Sequence, residues 1–104
     1  MSSEARYIEK IISLLERGQV HIKIVPKTSL PKGTWGTANK IKKKIKILNR
    51  LQVNAQVFTL VHECLHILMP KKSEAWVRPR AYHLWGVMSE AQHEKLKDFL
   101  RGLS

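Results

Sequence analysis

A single cysteine, Cys64, is the whole thiol content of the chain. No intramolecular disulfide can brace the fold, and a reducing compartment is the natural expectation. No apolar run is long enough to span a bilayer, and Met1–Ser3 leads straight into an amphipathic pattern without a signal. These absences predict a soluble, cytoplasmic protein with no membrane partner. Repeats and low-complexity linkers are also missing. So are the second metal-ligand pair of a zinc finger and the aromatic-basic pattern of an RNA-binding sheet, which argues against nucleic acid as the main target. Acidic residues are scarce, 8 against 19 lysines and arginines, for a formal net charge of +11. That balance predicts weak attraction to polyanions, nucleic acid included, or to acidic partners. The cations cluster at Lys40, Lys42, Lys43, Lys44 and Lys46, and again at Lys71, Lys72, Arg78 and Arg80. A binding surface and lysines guarding an exposed sheet edge explain such clusters equally well.

What is present makes one domain. The 104 residues, 43% of them hydrophobic, suffice for a modest core without disulfides, so residues 1–104 read as a single unit. Its most informative stretch is Phe58-Thr59-Leu60-Val61-His62-Glu63-Cys64-Leu65-His66, which holds HExxH inside an apolar run. Histidines four residues apart lie on one face of a helix, one turn apart, so both imidazoles can reach one tetrahedral cation. Glu63 follows the first of them, where its carboxylate can meet an attacking water. HExxH fixes only three positions, and a helix with one buried histidine and a solvated Glu-His pair would match it too. The flanks Val57, Phe58, Leu60, Val61, Leu65, Ile67 and Leu68 decide the matter. They make the helix apolar almost all round, hence buried, and buried titratable groups need partners that a metal supplies. Cys64 between them reads as a small buried hydrophobe and not as a ligand.

Local signals order the remaining chain. Ser3 can cap a first helix carrying Ile8, Ile11, Ile12 and Leu15 and stopping at Gly18. Residues 20–24 alternate as a strand, and 26–33, with two prolines and a glycine, form a loop. Residues 34–39 and 44–48 are the arms of a hairpin with lysines at its turn. Asn54 can cap the motif helix, and Pro70 ends it. Ser73 starts another helix that Pro79 should kink or divide. Ser89 and Gln92 form a capping box for a last helix with Leu96, Phe99 and Leu100, closed at Gly102. The order predicts an α+β fold: an N-terminal helix, a small, mostly antiparallel sheet, the active-site helix and C-terminal helices.

The run FTLVHECLH resembles the F-T-L-x-H-E-x-x-H signature of ImmA/IrrE-type zinc peptidases. The small size, and an acidic residue soon after the motif helix, resemble the short single-domain gluzincins called minigluzincins. The resemblance covers the hairpin through the post-motif helix, roughly the middle half of the chain. It implies a zincin-like fold, bound Zn²⁺ and a metalloendopeptidase acting on peptide or protein substrates. It also implies that the strand before the motif helix, residues 44–48, forms the upper edge of the substrate cleft, where an extended peptide would pair.

His62 and His66 are the expected metal ligands and Glu63 the general base. For the third ligand, a metzincin would need histidine where Lys72 stands, so that class is excluded. Glu74 is the first choice, since a helix restarting at Ser73 after a short turn can swing it back, although the same glutamate would also complement a helix dipole. His83 is the alternative, giving a three-histidine site like that of SprT-type proteases, and Glu90 follows, already explained by its capping box. Arg78, Arg80, Tyr82 and His83 are candidates for stabilising an oxyanion. Trp35, Trp76 and Trp85 are expected in the core or on a cleft wall. Two other functions compete: a basic nucleic-acid-associated protein, either SprT-like or carrying structural zinc, and an interaction protein that keeps the fold without turnover.

Overall fold

The computed structural model describes residues 3–103. Helix α1 spans Ser3–Glu16; the expected Ser3 side-chain cap lies outside the described residues. Its apolar stripe of Ile8, Ile11, Leu14 and Leu15 is buried. The helix ends as the sequence predicts. Gly18 takes φ +65°, and the Gln19 and Gly18 amides donate to the Leu14 and Leu15 carbonyls, both at 3.1 Å. This is a Schellman ending, which needs a residue without Cβ strain at that position.

Strands β1 (His21–Val25), β2 (Gly36–Asn39) and β3 (Lys44–Leu48) follow, with a 3₁₀ turn at Lys27–Ser29. The sheet order is β1-β3-β2, so β3 is central. It pairs antiparallel with β2, as a hairpin must, and parallel with β1, His21 facing Lys44 through Val25 facing Leu48. The fold is the α+β arrangement expected, its three-stranded sheet mixed through the one parallel pairing, and the expected placement of residues 44–48 at the cleft edge is corrected. Both backbone edges of β3 are occupied by neighbours; β2 is the edge strand that reaches the motif helix. The period-two alternation puts Ile45 and Ile47 in the core and Lys44 and Lys46 in solvent.

Helix α2 (Val53–Leu68) is the centre of the molecule, packed by α1, β2, β3, α3 (Glu74–Val87) and α4 (Glu90–Arg101). Val57, Leu60, Val61, Cys64 and Leu65 are fully buried in it. Its N-cap is Gln52 without a side-chain cap bond, so Asn54 sits inside the first turn and the expected Asn54 cap does not form. Ser73 caps α3 and accepts from the Trp76 amide. Pro79 does not divide that helix. Val77, Ala81 and Leu84 are buried on either side of it, and the Arg80 guanidinium donates to the Trp76 carbonyl at 3.0 Å. Packing thus outweighs the one amide bond the proline forgoes. The Ser89–Gln92 capping box is formed in both directions. Among the described residues no helix is long and apolar enough to cross a membrane.

Candidate metal centre

Helical spacing brings Phe58, His62 and His66 onto one face of α2, and Glu74, Arg78 and Tyr82 onto the facing side of α3. The two faces meet at one point. Glu74 Oε1 lies 2.6 Å from His62 Nε2, and Glu74 Oε2 lies 3.0 Å from His66 Nε2. The short Pro70–Lys72 turn makes this possible, because α3 restarts close to the end of α2 with Glu74 as its first residue. The carboxylate bridges two imidazoles standing 5.0 Å apart, centroid to centroid.

Glu63 is only 5% exposed, beside this cluster. Its Oε2 is 3.5 Å from His62 Nδ1, the far nitrogen of that ring from Glu74. One ligand-type atom from each of His62, Glu63 and His66 falls within 4.8 Å of the others. Between Glu63 and Glu74 as third ligand, Glu74 is the better placed: it faces both Nε2 atoms, while Glu63 backs a single Nδ1.

The charges are mutually adjusted. The His62 pKa is raised, first by its hydrogen bond to Glu63, against the opposing effect of burial, with Glu74 adding in the same direction. Burial pushes the Glu74 carboxyl up, but its hydrogen bonds and attraction to His62 and His66 prevail and hold it below its ordinary range. Cys64 is different: burial, then the Glu63 charge, raises its thiol far above the usual value, so it is the inert hydrophobe expected. His66 Nδ1 is buried without a partner, leaving that ring oriented by packing and by its Nε2 contact alone.

Two neutral imidazole nitrogens and one carboxylate converging from two helices are a donor set that suits Zn²⁺. Tetrahedral bonds of about 2.0–2.2 Å separate ligand atoms by roughly 3.3–3.6 Å. The 3.0 Å contact needs only a slight opening to reach that, and the 2.6 Å contact a somewhat larger one. The residues fit the ion.

The site opens into a cleft of about 370 Å³. One wall is the segment 33–36 with Trp35 half exposed, and the other carries Arg78 and Tyr82. Tyr82 packs on Phe58 at 4.7 Å, and Arg78 Nε is 3.5 Å from Glu74 Oε1. Of the four oxyanion candidates, the structure brings these two to the cleft. Arg80 lies over the Trp76 ring at 4.0 Å, and His83 Nε2 is 2.9 Å from Glu4 Oε1. His83 and Glu90 line other hollows, so neither is brought to the imidazole pair. Trp35 is a cleft wall; Trp76 and Trp85 pack against the core.

Gly36 was not singled out from the sequence. A Cβ there would stand 2.6 Å from Thr59 Cγ2, 2.7 Å from the Lys46 carbonyl oxygen and 3.7 Å from Glu63 Cγ. Only glycine lets β2 lie this close to the motif helix. The T-W-G-T order offers a faint signal, since a glycine inside a strand marks a close backbone approach.

No protein-family model, no curated protein and no solved structure matches the chain.

Proposed function

We propose that the chain is a zinc-dependent metallopeptidase of the zincin type, with His62, His66 and Glu74 as ligands and Glu63 as general base. One observation carries the reading: a single carboxylate from α3 meets the Nε2 atoms of both motif histidines, and that carboxylate lines an open cleft together with His62 and Glu63. Structural zinc sites are closed by four protein ligands, whereas three ligands beside a cleft leave room for substrate. That favours an enzyme over a structural-zinc module.

Bound there, Zn²⁺ supplies a Lewis acid that lowers the pKa of water to about 7 and polarises a carbonyl. Glu63 takes the proton from the attacking water onto its carboxylate and then delivers it to the leaving amine. Its burial beside the cluster keeps bulk water from competing for that proton. The Tyr82 hydroxyl and the Arg78 guanidinium, both on the cleft wall, are the donors available to the oxygen on which charge develops. The peptide lies extended along β2, the edge strand whose backbone passes Glu63 at Gly36. Trp35 then borders the residues on one side of the scissile bond.

The test is hydrolysis of a mixed peptide library by the zinc-loaded protein, read by mass spectrometry, beside the Glu63→Gln variant. Cleavage by wild type, absent in the variant at equal zinc content, is expected. Equal cleavage by both, or none by the zinc-loaded wild type, would remove the peptidase reading.

A further inference from the structure

The solvent face of the sheet lies on the opposite side from α2 and shares no lining residue with the metal cleft. Its outward positions are His21 and Lys23 on β1 and Lys44 and Lys46 on β3, with Lys40 and Lys42 at the hairpin turn. In register, His21 stands beside Lys44 and Lys23 beside Lys46. Between Glu16 and Glu63 the sequence has no acidic residue, and among the described residues none of these lysines has an ion-pair partner.

Edge protection does not explain the pattern. Lys44 and Lys46 belong to the central strand, whose edges are already paired. Serine or threonine would solvate the same face without setting like charges side by side, which is unfavourable in a sheet. We propose that this face docks onto the phosphodiester backbone of a nucleic-acid duplex, without reading its sequence.

The geometry favours that occupant. Outward side chains recur about 6.8 Å apart along a strand and about 4.8 Å across strands, so the cations form a regularly spaced array that suits many spaced phosphates. Among the described residues no Phe, Tyr or Trp lines the face, and the one imidazole, His21, gives single-stranded bases no run of rings to stack on. Ile41 is the one large apolar side chain standing out of it, too little buried area for a membrane surface to hold. The hairpin turn is also ordered: Asn39 Oδ1 accepts from the Ile41 and Lys42 amides, and Lys40 Nζ donates to the Pro70 carbonyl.

The experiment uses fluorescence anisotropy with the full chain and a labelled mixed-sequence DNA duplex of about 20 base pairs, over about 50 to 200 mM salt. Two triple variants of equal net charge are compared: Lys23→Gln/Lys44→Gln/Lys46→Gln on the face, and Lys10→Gln/Lys95→Gln/Lys97→Gln on α1 and α4. Wild type should bind, with log affinity falling linearly in log salt. The face variant should have a slope shallower by about 2 to 3, losing roughly 0.9 per phosphate contact, and the helix variant should stay near wild type. Thermal melting of both variants checks that they remain folded. Absence of binding at the lowest salt, or equal weakening by both triples, overturns the proposal. So does at least tenfold tighter binding to single strands, to phosphatidylserine vesicles or to polyglutamate.

Discussion

His62 and Glu74 are twelve residues apart in the chain and 2.6 Å apart in space, Nε2 to Oε1, tying the motif helix to the one after it. In the metal-free protein this contact is an ion pair whenever His62 is protonated, and the same nitrogen must be free of its proton to hold zinc. The two uses of one atom have opposite pH dependences. His62 has a raised pKa, so its contribution to metal-free stability is complete below about pH 6.5 and is lost as pH rises through the raised value. Glu74 has a lowered pKa, so its part is present above about pH 4.3 and is lost as pH falls through the lowered value. Half of the Glu74 side chain is exposed, so its share is small.

The first prediction follows from that opposition. Zinc should raise the melting temperature more at pH 8 than at pH 5.5, with affinity falling by up to about tenfold per pH unit below the raised His62 pKa. Differential scanning fluorimetry with and without zinc, across this range, measures it. A zinc-induced shift that is the same at both ends would mean that His62 is not a ligand.

Glu74→Gln should reduce zinc affinity by about a hundredfold or more, because it removes the one charged ligand and leaves two imidazoles. His83→Ala should leave zinc content unchanged, since that ring pairs with Glu4 on another face. Metal content by atomic emission after dialysis against a weak chelator separates them. The reverse result would restore His83 as the third ligand.

Glu63→Gln should keep zinc at one equivalent while lowering kcat by at least about a hundredfold, the usual range for losing a general base. The amide is nearly isosteric, so it fits the same buried site. Zinc lost along with activity would instead make Glu63 part of the metal's support, through its 3.5 Å approach to His62 Nδ1.

What could be read from the sequence was what short-range chemistry encodes. The Gly18 stop, the Ser89–Gln92 box, the alternation of Lys44 to Ile47 and the helical spacing of His62 and His66 each involve residues within one or two turns. The position of Glu74 beside the two histidines was reachable because only a short turn separates it from the motif. The errors lie where distant segments compete. Nothing local in residues 20–24 says that they pair parallel with β3, and that pairing moves β3 to the centre and hands the cleft edge to β2. Pro79 read as a breaker because the core that buries Val77, Ala81 and Leu84 of the same helix is built by distant segments, and Asn54 read as a cap two residues past the observed N-cap, Gln52.

The last prediction concerns the glycine that this rearrangement brings to the site. Gly36→Ala places a methyl group 2.6 Å from Thr59 Cγ2 and 2.7 Å from the Lys46 carbonyl oxygen. The second of these is backbone of the central strand and cannot give way cheaply, while Thr59 is held by its hydroxyl donating to the Ala55 carbonyl at 2.8 Å. Overpacking of this kind costs about 1–3 kcal/mol. In a domain of this size each kcal/mol lowers the melting temperature by about 4–8 °C. Gly86→Ala is the control: it lies in α3, a Cβ there meets nothing within 4 Å, and helix propensity predicts a gain of up to about 1 kcal/mol. Melting curves should therefore move in opposite directions for the two alanines. Because the displaced strand also borders Glu63, Gly36→Ala should lose hydrolytic activity well below its melting temperature, with zinc still bound. A Gly36→Ala protein as stable and as active as wild type would show that β2 does not need this close approach to α2, and would detach the edge strand from the cleft.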